Sequence, residues 1–327
     1  MPIITVEHLS KHFKVYKRRP GFWGSLRNIV SREHSIIRAV DDVSFTLERG
    51  ELVGYIGANG AGKSTTIKML TGILVPTSGH VEVMGAVPYE RRKENARRIG
   101  VVFGQRTQLW WDLPVIESFD LLKHIYAIPQ NVYNHNLELF SELLQLHPFL
   151  DTPVRKLSLG QRMRCDLTAA LLHNPEILYL DEPTIGLDVV AKENIRQFLK
   201  QINTERQVTV ILTTHDLNDV EKVCQRMLII DRGKIIYDGS IDGLKQRYGK
   251  TRMLIVDLAQ VYPEIKLDGA EMTRREDNRI WLTFDRDTIS ASELIAQLTA
   301  QYEIKDLTIS EPEIEAIVRR IYKWGMT

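Results

Sequence analysis

The eight residues Gly57-Ala58-Asn59-Gly60-Ala61-Gly62-Lys63-Ser64 constrain this chain more than any other stretch. They match GxxxxGK[ST] and lie between an apolar run ending at Ile56 and a helical pattern through Ile67 and Leu70. Strand, glycine loop and helix in that order make a cradle for a phosphate chain. The glycines let the backbone wrap an anion, and the free amides at the helix start carry about half a positive charge. Lys63 is expected to reach the terminal phosphates and Ser64 to ligate Mg²⁺. A glycine turn that merely precedes a helix shares the loop pattern but does not require the preceding strand.

The surrounding rhythm suits that loop. Short apolar runs alternate with helical patterns through the first 240 or so residues, as in a largely parallel, covered sheet. Val40–Ile56 reads as two strands around Glu48-Arg49-Gly50, and further strands fall at Ile99–Phe103, Ile177–Leu180, Val208–Thr213 and Met227–Ile230. Ile177-Leu178-Tyr179-Leu180 is continuously apolar, so both its faces should be covered. It ends in Asp181-Glu182-Pro183, which delivers two carboxylates to the carboxyl end of a strand, where open α/β sheets hold ligands. Asp181 fits a Mg²⁺-holding role and Glu182 the polarising of an attacking water. Acids that simply mark a strand end are the plainer alternative.

Residues from about 110 to 172 turn helical, punctuated by Pro114, Pro129, Pro148 and Pro153, which suggests a helical subdomain inserted in the core. Asp231-Arg232-Gly233-Lys234 predicts a hairpin turn. The rhythm changes after Leu244. Strands at Met253–Leu258, around Glu271–Thr273, and at Ile280–Phe284 and Ile304–Ile309 accompany two capped helices. One follows Ser290, with Glu293 completing a capping box; the other follows Ser310, with Pro312, Glu313 and then Ile314, Ile317, Val318 and Ile321 on one face. The expected organisation is a domain over 1–243 and a small α+β domain over 244–327.

Charge excludes some roles and conceals others. The 43 Lys+Arg and 42 Asp+Glu nearly cancel, which argues against a nucleic-acid binder. Residues 14–38, however, carry Lys14, Lys17, Arg18, Arg19, Arg27, Arg32 and Arg38 against Glu33 alone. Phe22, Leu26, Ile29 and Val30 in that stretch have helical spacing, so the insertion reads either as a basic amphipathic segment for a lipid or protein surface or as a solvated insertion. The distant Cys165 and Cys224 support neither a zinc site nor a disulfide framework. The amino terminus lacks signal-peptide features, and no apolar stretch approaches the roughly 18–20 residues that span a bilayer.

Three further features follow the phosphate loop. Gln105 comes after the strand Ile99–Phe103, and His215 ends the strand Val208–Thr213. Between them, Leu157-Ser158-Leu159-Gly160-Gln161-Arg162 opens a helix, with Ser158 and Gln161 spaced as a capping box. Alone, each of these residues is as well explained by capping or packing. Their order and spacing, together with Asp181-Glu182-Pro183 and Gly186-Leu187-Asp188, resemble the ATP-binding-cassette (ABC) ATPases over residues 1–243.

That resemblance implies a P-loop ABC fold: a mixed α/β sheet with an inserted helical subdomain. It also implies a head-to-tail dimer enclosing two ATP with Mg²⁺. Gly57, Asn59, Gly60, Ala61, Gly62, Lys63, Ser64 and Thr65 would hold the phosphates, and Ser64, Gln105 and Asp181 the metal. Glu182, His215, Gln105 and Lys63 would serve catalysis. Ser158, Gly160, Gln161 and Asp188 would act across the dimer. Phe13 would stack on adenine, with Tyr16 as the alternative. The family signature is usually LSGGQ, and Leu159 replaces its first glycine.

More narrowly, the basic insertion, the Gln108-Leu109-Trp110-Trp111-Asp112-Leu113-Pro114 segment and the Ser310-Glu311-Pro312-Glu313 ending look like the bacterial drug-exporter ATPases of the daunorubicin-resistance type. This implies an ATP hydrolase coupled to transmembrane transport, peripheral at the cytoplasmic face and driving separate permease subunits. Trp110 or Trp111 would lie where the permease docks. Polysaccharide and teichoic-acid exporter ATPases carry a comparable insertion and are the runner-up; a soluble ABC ATPase without a permease is the rival from another class.

Overall fold

The computed structural model describes residues 1–16, 34–104, 106–265, 267–310 and 314–324, the last without the side chains of 323 and 324. The chain divides into two compact units, Met1–Asp238 and Gly239–Thr327.

The first unit opens with strands β1 (Ile4–Tyr16), β2 (His34–Leu47) and β3 (Leu52–Ile56), then helix α1 (Lys63–Leu70) and strand β4 (Ser78–Val83). Helix α2 (Arg92–Arg98) leads into β5 (Ile99–Phe103). A helical stretch follows, made of α3 (Val115–Ile125), α4 (Gln130–Leu143) and α5 (Leu159–Leu171). Pro114 and Pro129 stand at the N-caps of α3 and α4, where a missing N–H costs nothing. The chain then returns through β6 (Ile177–Asp181), α6 (Val189–Arg206), β7 (Thr209–Thr214), α7 (Leu217–Val223), β8 (Arg226–Asp231) and β9 (Lys234–Ser240).

The main sheet has strand order β5-β6-β7-β3-β8-β9, and the pairs β5–β6, β6–β7, β7–β3 and β3–β8 are parallel. All of β3 and β7 and the first four residues of β6 are buried, as strands of a parallel sheet covered on both faces should be. An antiparallel sheet, β2-β1-β4, shares one hydrophobic core with it through Ile4, Val6, Val43, Phe45, Tyr55, Ile67 and Ile211.

One difference from the sequence reading concerns the insertion. Its flanks, 14–16 and 34–38, extend β1 and β2, with Lys14 opposite Ile36 and Tyr16 opposite His34. The β-branched and aromatic residues there continue a ladder already begun, so β2 starts six residues before Val40. The basic and apolar positions of 17–33 lie outside the described residues.

The second unit begins with helix α8 (Ile241–Tyr248) and continues with β10 (Thr251–Leu258), β11 (Ala270–Glu276) and β12 (Arg279–Asp285). Helix α9 (Ala291–Gln301), strand β13 (Ile304–Ser310) and helix α10 (Ile314–Trp324) complete it. Its four strands are antiparallel in the order β11-β12-β10-β13. Leu254, Val256, Ile280, Leu282 and Phe284 face Leu294 and Leu298 of α9. Ser290 and Glu293 form the expected capping box. Ile314, Ile317, Val318 and Ile321 are all buried, the stripe their spacing predicts; Glu311, Pro312 and Glu313 lie outside the described residues.

Candidate active site

Parallel register decides where the chemistry meets. Ile56 pairs with Thr214, and Asp181 lies between Phe103 and Thr213, so β3, β5, β6 and β7 all finish at one edge of the sheet. Four consecutive carboxyl ends bring the glycine loop, the segment after β5, Asp181-Glu182 and His215 together, as the switch-point rule requires.

The loop 57–62 closes tightly into α1. Gly62 caps that helix at φ 115°, and a Cβ there would meet the Ala39 carbonyl at 2.3 Å. Neither the angle nor the space admits another residue. No side chain caps α1, so its first amides are left for an anion. Lys63 is 6% exposed, and its Nζ donates to the carbonyls of Gly57 (2.6 Å) and Ala58 (3.4 Å). Burial pushes the Lys63 ammonium below the usual lysine range, opposed by Glu182 and Asp181. Glu182 Oε1 lies 3.9 Å from Nζ.

Ser64 Oγ donates to Asp181 Oδ2 at 2.9 Å, and Thr213 Oγ1 donates to Asp181 Oδ1 at 2.5 Å. Two of the oxygens expected to hold a metal, those of Ser64 and Asp181, are therefore already adjacent. Hard oxygen donors of this kind suit Mg²⁺, which is commonly held by one or two side chains plus substrate phosphates. Glu182 sits at φ 56°, turned out of the strand, and its Oε2 is 3.0 Å from Nδ1 of the exposed His215. A Cβ on Gly104 would lie 2.1 Å from the Glu182 carbonyl, so the chain after β5 is pressed against the acid. Gln105 itself lies outside the described residues.

Ser158, Gly160, Gln161 and Asp188 form a second group, and none of them hydrogen-bonds with the first among the described residues. Ser158 and Gln161 make the full capping box of α5, and Asp188 caps α6 by accepting from Ala191 N at 2.8 Å. A Cβ on Gly160 would meet Ala191 Cβ at an ordinary 3.5 Å, so packing within this chain does not demand glycine. Leu159, the departure from the usual signature, turns toward Gly186: a Cβ there would meet Leu159 Cδ2 at 3.0 Å.

Phe13 is 38% exposed on β1 opposite Ile37, with Lys11 Nζ 5.5 Å from its ring centre; the Tyr16 side chain lies outside the described residues. The aromatic segment divides. Phe119 and Leu122 are core, whereas Trp110, Trp111, Leu121 and Ile125 are exposed.

Three contributors escaped the sequence reading. Thr213 holds the second oxygen of Asp181, and only the register reveals it. Asp219, buried, binds Arg196 through two donors and Thr184 through its hydroxyl, which fastens the segment after Glu182 to α6 and α7. Asp166, an acid among the buried residues of α5, holds Thr107 and Gln108; its place in an apolar helix stripe was the available signal.

Comparison with known proteins gives the family of this fold. The ABC transporter family model matches residues 40–185. The ABC transporter ATP-binding protein NatA of Bacillus subtilis is 32% identical over 209 residues, 64% of this chain and 85% of NatA. The linearmycin resistance ATP-binding protein LnrL of the same organism is 30% identical over 286 residues, 85% of this chain and 91% of LnrL. The methionine import ATP-binding protein MetN 2 of Enterococcus faecalis is 32% identical over 245 residues, 74% of this chain and 66% of its own length. A solved dimeric bacterial ABC transporter cassette superposes with a TM-score of 0.61 at 27% identity, covering 73% of this chain and 98% of the cassette. A phosphate loop, paired carboxylates and their strand order, joined to these identities over most of NatA and LnrL, establish that the chain belongs to the ATP-binding proteins of ABC transporters.

Proposed function

We propose that this chain is the ATP-hydrolysing subunit of a drug-exporter-type ABC transporter, working as a head-to-tail dimer on the cytoplasmic face of a membrane and driving separate permease subunits. The observation that carries the catalytic part is the meeting of Lys63, Ser64, Asp181, Glu182 and His215 at one sheet edge. In this reading residues 1–243 are the ATP-binding domain and 244–327 an accessory domain.

Each residue has a task suited to its position. The amides of 57–65 and the Lys63 ammonium bind and orient the phosphates of ATP. Ser64 and Asp181, with Gln105, would hold Mg²⁺, which when bound offsets phosphate charge. Glu182 accepts the proton of the attacking water as its oxygen bonds to the γ-phosphorus and the bond to ADP breaks. His215, beside Glu182, orients that carboxylate and contacts the γ-phosphate. Ser158, Gly160, Gln161 and Asp188 close over the partner's nucleotide, and Phe13 stacks on adenine.

Export is favoured by the similarity to LnrL over 91% of that protein and by the exposed Trp110 and Trp111, which suit a permease contact. Among the described residues no helix is long and apolar enough to cross a membrane. The similarity to MetN 2 makes import the reading to beat. In vesicles reconstituted with the cognate permease, ATP should move substrate out of the compartment that holds this chain; movement into it would establish import. In the same vesicles Glu182→Gln should keep ATP binding, trap a dimer and lower turnover about 10²–10³-fold. Near-normal hydrolysis would remove Glu182 from the role of base.

A further inference from the structure

Asp166 lies two turns into α5, about 12 Å along the helix from Ser158. Its side chain is 4% exposed, between the buried Cys165 and Leu167. An acid in that stripe is costly unless its oxygens are used. Oδ1 accepts from Thr107 Oγ1 at 2.8 Å and from Gln108 N at 3.1 Å. Gln108 Nε2 donates in turn to the Asp166 carbonyl at 3.0 Å, and Leu109 N donates to Thr107 Oγ1 at 3.1 Å. One carboxylate thus organises the three residues 107–109.

That turn is tied at its other end to the catalytic strand. Arg106 N donates to the Phe103 carbonyl at 2.9 Å, Phe103 pairs with Asp181, and Gly104 N donates to the Asp181 carbonyl at 2.8 Å. The close approach of Gly104 to the Glu182 carbonyl completes the path. Hydrogen bonds and close packing therefore run from α5 to the backbone of Asp181 and Glu182.

We infer that Asp166 is a positioning residue that fastens the helix presenting Ser158 and Gly160 to the turn beside Asp181 and Glu182, so that the face serving the partner's nucleotide and the chain's own hydrolytic centre keep one relative placement. The inference rests on the proposed function for its consequence and on the hydrogen bonds for its existence. A side chain that only fills space would not aim one oxygen at two donors of a single loop.

Two measurements on the full chain test it. At saturating ATP, Asp166→Ala should lower kcat per folded molecule at least about tenfold, since two half-buried donors lose their acceptor, while affinity for a non-hydrolysable ATP analogue stays within about twofold. Asp166→Asn retains an acceptor oxygen and should stay within about threefold of the parent. Independently of hydrolysis, amide exchange at Gly104 and Arg106–Leu109 should accelerate in Asp166→Ala and not in Asp166→Asn. Unchanged exchange in Asp166→Ala would overturn the inference whatever the ATPase result. So would an undiminished kcat, an equal fall in kcat and analogue affinity, or Asn as damaging as Ala. A parent chain without ATPase activity would instead overturn the proposed function, leaving amide exchange to decide on Asp166.

Discussion

The two units treat charge in opposite ways. In the first, Lys63 from the start of α1 and Asp181 and Glu182 from the end of β6 are buried or half-buried and converge at one edge of the sheet. In the second, ion pairs lie on or beside the sheet with at least one exposed partner: Arg279 with Asp257 across two neighbouring strands, Arg274 with Glu276 within one, and Lys250 with Asp287 just beyond the strand ends. Topology explains the contrast. Parallel strands send all their carboxyl ends to one edge, whereas an antiparallel sheet distributes its loops between both. Convergent charge makes a site; dispersed charge makes a surface.

The most direct way to break this comparison is at Lys63. Lys63→Ala should weaken ATP binding by about two orders of magnitude, the worth of charge-assisted contacts to phosphate in a site screened from water. Equilibrium titration with a fluorescent ATP analogue checks it, and unchanged affinity would remove the loop from phosphate binding.

Next comes a matched pair of ion-pair deletions, read by denaturant titration. Asp219→Ala leaves the buried Arg196 only the exposed Glu193 for a partner and should cost about 3–5 kcal/mol. Asp257→Ala strips Arg279 of its partner on the open sheet and should leave the unfolding midpoint of the second unit unchanged. Equal effects would erase the distinction between the units.

A third test concerns pH. Burial raises the Asp166 carboxyl from 3.8 to about 6, against hydrogen bonds from Thr107 and Gln108 N and the nearby Arg162 charge. The folded chain then holds this proton more tightly than the unfolded chain. Its contribution to stability is greatest below pH 4 and is lost as pH rises through about 6, up to about 3 kcal/mol in all. Asp166→Asn should remove that slope between pH 4 and 6, and parallel stability curves would show that Asp166 does not titrate there.

Much of the site was legible as spacing. Gly57 to Ser64, Asp181-Glu182 and His215 sit at strand ends that hydrophobic runs alone identify, and the capping boxes at Ser158 and Ser290 need only neighbours three residues apart. The partners of these residues were not legible. Thr213 reaches Asp181 across 32 positions, Thr107 reaches Asp166 across 59, and nothing local in either segment announces the other. Early pairing of β1 and β2 escaped for a similar reason, because ladder formation by exposed residues depends on the opposite strand.

The sequence by itself determined the βα rhythm, the phosphate loop and the acids that end β6, because these follow from backbone freedom and apolar periodicity within a few residues. Only the tertiary structure decided that Ser64 and Thr213 both grip Asp181, that Glu182 faces His215, and that Asp166 ties α5 to Thr107 and Gln108. Parallel register and the burial of unlike groups side by side are set by the packing of whole elements, and no local pattern encodes them.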